Sequence, residues 1–377
     1  MATRQKNGSI SSLPSESNGK SINFNVISPK GISKKTPNAH VNGKEPTIGL
    51  QRRRLSVVSD NKLVEGLAQV TTSETECIEN GSGAITSFAG VSKKGYAPYN
   101  PRKKNQDSMV LQFDSDTKTL LFCVFDGHGE AGDLVSQALR DKFPVELCKH
   151  PKYRVKKDPK ALQSAISDSL QIVERKILRD SNIDTEFSGT TAVIALIRDH
   201  VLITANIGDS RIVRGYMDAE STIHSQDISI DHKPDLPDEK DRILKSGGRV
   251  FAVEYDDGVD GPPRVWLGHL DVPGLAMSRS LGDAVAHTAG VTSEPEFSIH
   301  TLKASDRCFV MATDGLWEFM TTKEVIELAL NEENPKAAVD VLLDEANRRW
   351  MKEEQVIDDT TVIVVFMDFQ DQKEAAK

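Results

Sequence analysis

Four short apolar runs in this chain meet aspartate at one end, and that recurrence restricts the fold more than any other feature. Leu121-Phe122-Cys123-Val124-Phe125 leads into Asp126-Gly127-His128-Gly129, and Val201 to Ile207 leads into Gly208-Asp209-Ser210-Arg211. Cys308 to Thr313 leads into Asp314-Gly315-Leu316-Trp317, and Asp358-Asp359-Thr360 opens the run Val362 to Phe366. Short runs rich in Val, Ile and Phe read as buried strands. Carboxylates at the ends of such strands stand on rigid scaffold, which suits a ligand that must be held within a fraction of an ångström. A glycine after the aspartate lets the backbone turn sharply and bring its carbonyl close to that ligand. Asp-Gly is also an ordinary turn dipeptide, so no one of these sites decides anything; their repetition does.

Strands are expected at Leu120 to Phe125, Ala192 to Ile197, Val201 to Ile207, Arg211 to Gly215, Arg307 to Ala312 and Thr361 to Phe366. Asp158-Pro159 supplies an N-cap and a first-turn proline for a helix with Leu162, Ala165, Ile166, Leu170, Val173 and Ile177 on one face. Thr321-Thr322-Lys323-Glu324 has the spacing of a capping box. Asn334-Pro335 starts a further helix, with Ala338, Val341, Leu342 and Ala346 expected inward. Helices come in pairs between groups of strands. That favours an α+β fold with antiparallel sheets covered by helices over a regular alternation of strand and helix.

Residues 1–86 are rich in Ser, Asn, Lys and Gly, with almost no sustained apolar period, and read as a disordered extension. Residues 87–369 form one expected domain, and 370–377 a short polar tail. Within the extension, Arg52-Arg53-Arg54-Leu55-Ser56 has the pattern of a basophilic kinase site with Ser56 as acceptor; such runs also arise by chance in polar segments. Residues 1–60 carry ten Lys/Arg against three Asp/Glu, so of the net charge of -9 the remainder carries -16. An acidic body argues against nucleic acid as the main partner. No apolar run approaches the ~18 residues needed to cross a bilayer, the opening residues lack an apolar signal core, and Ala2 stands where myristoylation needs glycine. A monomer in the cytoplasm is expected, with a nuclear place open through Arg52 to Arg54. Cys77, Cys123, Cys148 and Cys308 show no CxxC spacing and read as reduced thiols.

Oxygen ligands without a Cys or His cluster select hard cations such as Mg²⁺ or Mn²⁺ over Zn²⁺. The chain has no GxxxxGK[ST] phosphate loop and no GxSxG nucleophile elbow. In chain order it carries Arg102 through Asn105-Gln106-Asp107, Asp126-Gly127-His128-Gly129, Ser188-Gly189-Thr190-Thr191, Gly208-Asp209-Ser210-Arg211 and Asp231-His232-Lys233-Pro234. There follow Ser246-Gly247-Gly248, Ser278 to Asp283, Ala312 to Trp317 and Asp358-Asp359-Thr360. In these stretches the chain resembles the metal-dependent serine/threonine protein phosphatases of type 2C.

The resemblance implies a sandwich of two antiparallel sheets flanked by helices, two Mg²⁺ or Mn²⁺ ions, and phosphoprotein substrates. It implies that Asp126 bridges the two metals, that the Gly127 carbonyl binds one, and that Asp314 and Asp358 complete the other. Asp107 would act through water. A hydroxide shared by the metals would attack phosphorus directly. Arg102 would grip phosphate with its planar fork, although a solvated basic loop reads the same in Pro101-Arg102-Lys103-Lys104. His128 would protonate the leaving alkoxide; the alternative is a histidine that only hydrogen-bonds a ligating carboxylate. Asp209 matches a position associated with a third, weaker metal, whose usual second aspartate is here Glu318. Gln106 replaces a glutamate common in the family, which removes a charge from the metals' outer shell. Glu254, Asp256, Asp257 and Asp260 lie in the stretch that resembles a mobile flap, where they read as a solvated loop or as a preference for basic phosphosites. A binding module without turnover, and a hydrolase of small phosphate esters, remain open as rivals.

Overall fold

The computed structural model describes residues 68–69, 76–77, 84–255 and 258–369. Thr119–Phe125, Ala192–Arg198 and Val201–Ile207 lie at the centre of one antiparallel sheet, with Ser108–Asp114 and Ala68–Gln69 beyond on one side and Glu296–Thr301 on the other. Both faces of those central strands are covered, which is why their sequences are near-continuously apolar rather than alternating. A second antiparallel sheet runs in the order Ile223–Asp227, Arg211–Met217, Asp306–Ala312, Thr360–Met367, Ile85–Lys93 and Glu76–Cys77. Backbone pairing therefore includes residues 68–69, 76–77 and 85–86, inside the stretch expected to be an extension.

The two sheets stack on a shared core in which Phe122 meets Phe88 and Phe309 edge-to-face at 5.1 and 5.8 Å. Helices Gly132–Lys149 and Pro159–Ile177 cover the outer face of the first sheet; Thr322–Leu330 and Pro335–Glu353 cover the second. The layers are α-β-β-α. Asp158, Thr321 and Asn334 cap their helices as the sequence indicates, and Thr321 with Glu324 forms the capping box. The last helix differs in its inner face: Val339 and Leu343 are buried with Ala338, Leu342 and Ala346, while Val341 is half-buried. The buried stripe is set by how the helix lies across two strands, so it includes Val339 and Leu343 where the reading from periodicity chose Val341.

Beside the sandwich, helix Pro237–Lys245 and strands Arg249–Tyr255, Gly258–Trp266 and Pro273–Leu275 form the flap, held by a small cluster of Ile243, Val265, Ala286, Ala289 and Val291. The side chains of Glu254, Asp256, Asp257 and Asp260 lie outside the described residues, as do Arg52 to Arg54 and Ser56. No helix among the described residues is long and apolar enough to cross a membrane.

Candidate active site

Strand register brings the aspartates together. Ala312 pairs with Val362, so Asp314, just past one strand, and Asp358, just before its neighbour, emerge at the same end of the second sheet. Thr313 and Thr361 lock those ends: the Thr313 amide donates to the Thr361 carbonyl at 3.1 Å, and the Thr361 amide donates to Thr313 Oγ1 at 3.0 Å. Both threonine hydroxyls donate to Asp107 Oδ2, at 2.9 and 2.8 Å, which ties the Asp107 strand end of the first sheet to the second. Asp126 follows the fully buried strand Thr119–Phe125, and its backbone exchanges hydrogen bonds with Thr191, whose hydroxyl meets Ser210 beside Asp209.

These carboxylates are close enough to disturb one another. Burial, followed by the charges of Asp314, Asp107, Asp358 and Asp209, pushes the Asp126 carboxyl well above its ordinary range. Burial, then Asp209, Asp358 and Asp107, does the same to Asp314. Burial raises Asp107 to about 7 against the pull of its threonine donors. Asp107 Oδ1 and Asp209 Oδ1 are buried with no hydrogen-bond partner. Among the described residues, no three His, Cys, Asp or Glu side chains have closed into a metal-ligand group.

Three short strands, Gly127–His128, Gly189–Thr190 and Leu281–Gly282, pair side by side and carry His128 to Asp283. His128 Nε2 lies 2.6 Å from Asp283 Oδ2, which also accepts from the Ser280 hydroxyl at 2.6 Å. A Cβ on Gly189 would stand 2.2 Å from that same oxygen, so only glycine leaves Asp283 room to reach the ring. Burial opposes charge on His128, yet Asp283, with Asp209 and Asp314 behind it, raises its pKa. Burial likewise works against the Asp283 carboxylate, but His128 and Ser280 hold it below the usual range. The second ring nitrogen, Nδ1, is buried and free of any partner.

Two lysines enter the cluster unannounced. Lys103 Nζ lies 2.7 Å from Asp358 Oδ1 and 3.0 Å from Asp359 Oδ1, and Lys233 Nζ lies 2.6 Å from Asp209 Oδ2. Glu318, the expected partner of Asp209, is exposed and lines an open groove of about 800 Å³ with Arg211, Asp227 and Trp317. Arg102 is exposed on the turn that carries Lys103. Gln106 donates its side-chain amide to the Gly129 carbonyl at 2.6 Å. Asp283 and Lys233 lie in stretches that the resemblance matched without giving them a role, and Lys103 looked like one charge in a basic run.

The sequence signature of protein phosphatase 2C matches residues 99–354, which take in the arrangement from Arg102 to Asp314 and stop four residues before Asp358. The chain belongs to the protein phosphatase 2C family. This phosphatase is 31% identical over 378 residues to the probable protein phosphatase 2C 52 of Arabidopsis thaliana, covering 89% of its own length and 78% of that relative. It is 34% identical over 294 residues to the probable protein phosphatase 2C 73 of Oryza sativa subsp. japonica, with 70% and 69% covered. In fold it is similar to the serine-threonine phosphatase 2C of Toxoplasma gondii, with a TM-score of 0.67 at 23% identity over 81% of this chain and all of that one. A C. elegans sex determining protein gives a TM-score of 0.59 at 21% identity, covering 75% and 64%. The phosphatase is thus a protein serine/threonine phosphatase of a metal-dependent family, with the family's sandwich fold.

Proposed function

We propose that the Asp126 cluster is the active site, that it holds two hard divalent cations, and that it hydrolyses phosphoserine and phosphothreonine in proteins. The observation that carries this reading is a set of aspartates at strand ends whose burial and mutual repulsion oppose ionisation. Such a cluster costs stability unless cations answer it. Buried, unpartnered oxygens on Asp107 and Asp209 are free acceptors, and an all-oxygen donor set fits Mg²⁺ or Mn²⁺. Asp126, the Gly127 carbonyl, Asp314 and Asp358 would hold the two ions, with Asp107 one water removed. Bound there, the ions would supply Lewis-acid activation of water and neutralise charge on the phosphoryl group.

The chain's own side chains do the rest. Arg102, exposed at the rim, offers paired N–H donors to phosphate oxygens. His128 keeps a raised pKa through Asp283, so its ring is charged more of the time near neutral pH. The ionised Asp283 accepts from Nε2, which leaves the Nδ1 proton as the one that can pass to the leaving serine or threonine oxygen. That His128 spends its bond on Asp283, and not on Asp126 or Asp314, favours the general acid over a mere orienter of metal ligands. Asp209 with Glu318 is a weaker candidate for a third ion, because Lys233 already neutralises one Asp209 oxygen.

The test is turnover of a phosphothreonine peptide by the full chain after dialysis against chelator, then with Mn²⁺, with Mg²⁺ and with EDTA. Hydrolysis is expected only with added metal. Undiminished turnover in EDTA would overturn the reading, and faster turnover of a nucleotide or a phosphotyrosine peptide would overturn the substrate class.

A further inference from the structure

The Asp358 carboxylate already has a cation on it, supplied by the chain. Lys103 Nζ sits 2.7 Å from Asp358 Oδ1 and 3.0 Å from Asp359 Oδ1, and its side chain is only 21% exposed. The pairing is built from both sides. Tyr96 and Ile357 exchange backbone hydrogen bonds at 2.7 and 2.8 Å, stapling the loop before Lys103 to the segment before Asp358. Asp359 then takes the Gly95 amide at 2.7 Å on one oxygen and the Gln106 amide at 2.9 Å on the other, so it grips residues on either side of Lys103. Gly95 cannot be anything larger, since a Cβ there would lie 2.1 Å from the Ile357 carbonyl oxygen. Between those anchors a turn in which the Lys103 amide donates to the Asn100 carbonyl at 3.0 Å leaves the lysine stem a short reach to Asp358.

We propose that Lys103 is a tethered cation that competes with the divalent metal for Asp358 and so sets how much metal the site needs. The inference rests on the reading of Asp358 as a metal ligand. Asp358 Oδ1 also accepts its neighbour's amide, from Asp359, at 2.7 Å, so the oxygen that Lys103 holds is the more heavily used of the two. A divalent ion arriving on the same carboxylate must evict the ammonium or sit within a few ångströms of it, and like charges at that range repel even through solvent. Lys104, the next residue, makes an equally short pair at 2.7 Å but with Asp133, which is not among the proposed ligands. That neighbour serves as an internal control for net charge.

The experiment is calorimetric titration of metal-free, full-length protein with Mn²⁺, without substrate, on wild type and on Lys103→Met, Lys103→Gln, Lys103→Arg, Lys104→Met and Asp358→Asn. Lys103→Met and Lys103→Gln should each tighten the weaker Mn²⁺ site about tenfold, the lower range of effects just outside a metal's ligands. Lys103→Arg keeps the charge and should stay near wild type. Lys104→Met should leave the affinity unchanged. Affinity unaltered or weakened in both neutral Lys103 variants would overturn the proposal, as would equal tightening in Lys104→Met, which would reduce the effect to bulk charge. Asp358→Asn separates the two levels: if it leaves Mn²⁺ binding intact, Asp358 is no ligand and both readings fall. If it weakens binding while the Lys103 variants do nothing, only the competition is wrong.

Discussion

His128 and Asp283 are joined by a 2.6 Å contact between residues 155 positions apart, made possible by the glycine at position 189 in the strand between them. A half-buried histidine that ends on an ionised carboxylate has one nitrogen held and the other free. That arrangement separates holding the ring from giving up its proton.

Asp283→Asn should therefore behave as a muted His128→Gln. Both should lose turnover on a phosphopeptide, His128→Gln by about 10²- to 10⁴-fold, the usual worth of a positioned general acid. Both should lose far less on an aryl phosphate, whose leaving group needs little protonation. Equal losses on the two substrates would mean that the pair only braces the loop.

The metal-free protein should be strained by its own charges. Asp126→Asn removes one member of the repelling set, so it should raise the metal-free melting temperature, by about 2–4 °C if the relief is near 1 kcal/mol, while abolishing activity. The sign with pH follows from Asp107, whose carboxyl is raised to about 7 in the fold against 3.8 ordinarily. The folded state then binds more protons, so metal-free stability should be lowest above pH 7 and should rise as the pH falls toward 4. Saturating Mn²⁺ should flatten that slope. Thermal melts across pH, with and without Mn²⁺, check both; a metal-free protein that only loses stability below pH 7 would contradict the charge argument.

Arg102→Ala should raise KM and the inhibition constant of inorganic phosphate about tenfold or more, the worth of hydrogen bonds to a charged group. Phosphate inhibition measured on an aryl phosphate decides. An unchanged constant would return Arg102 to a solvated rim.

Gln106 faces two opposed effects. Glutamate would add a charge near the proposed metal site, worth about 10- to 100-fold in affinity, but it could not donate to the Gly129 carbonyl as Gln106 does. That contact is exposed and worth about 1 kcal/mol, so the charge should win. Gln106→Glu should lower the Mg²⁺ concentration for half-maximal activity while loosening the Gly127-to-Gly129 turn that carries His128, which shows as a modestly lower saturated rate. A higher Mg²⁺ requirement would mean that the amide contact, not the missing charge, governs the position.

By itself, the sequence determined the strands and capped helices, and with them the places where carboxylates leave the sheets. An apolar run, a capping box and an Asp-Gly turn are local, and each can be read without knowing what lies across from it. Asp126, Asp209, Asp314 and Asp358 could be named because a strand end is a position in a local pattern; the resemblance ordered them and added Asp107. Only the tertiary structure decided what faces what. Three adjacent basic residues look alike in Arg102-Lys103-Lys104, yet Lys103 grips Asp358, Lys104 reaches Asp133 from the surface, and Arg102 stands exposed. Asp209 meets Lys233 because the turn just before Asp209 and the Asp231-to-Pro234 segment are pinned together through Gly208 and His232, while Glu318 stands exposed. Asp283 reaches His128 only through the register of three two-residue strands, too short to leave any periodic signal. Pairings of this kind depend on register and loop closure over tens to hundreds of residues, and those are properties of the assembled sandwich rather than of any segment within it.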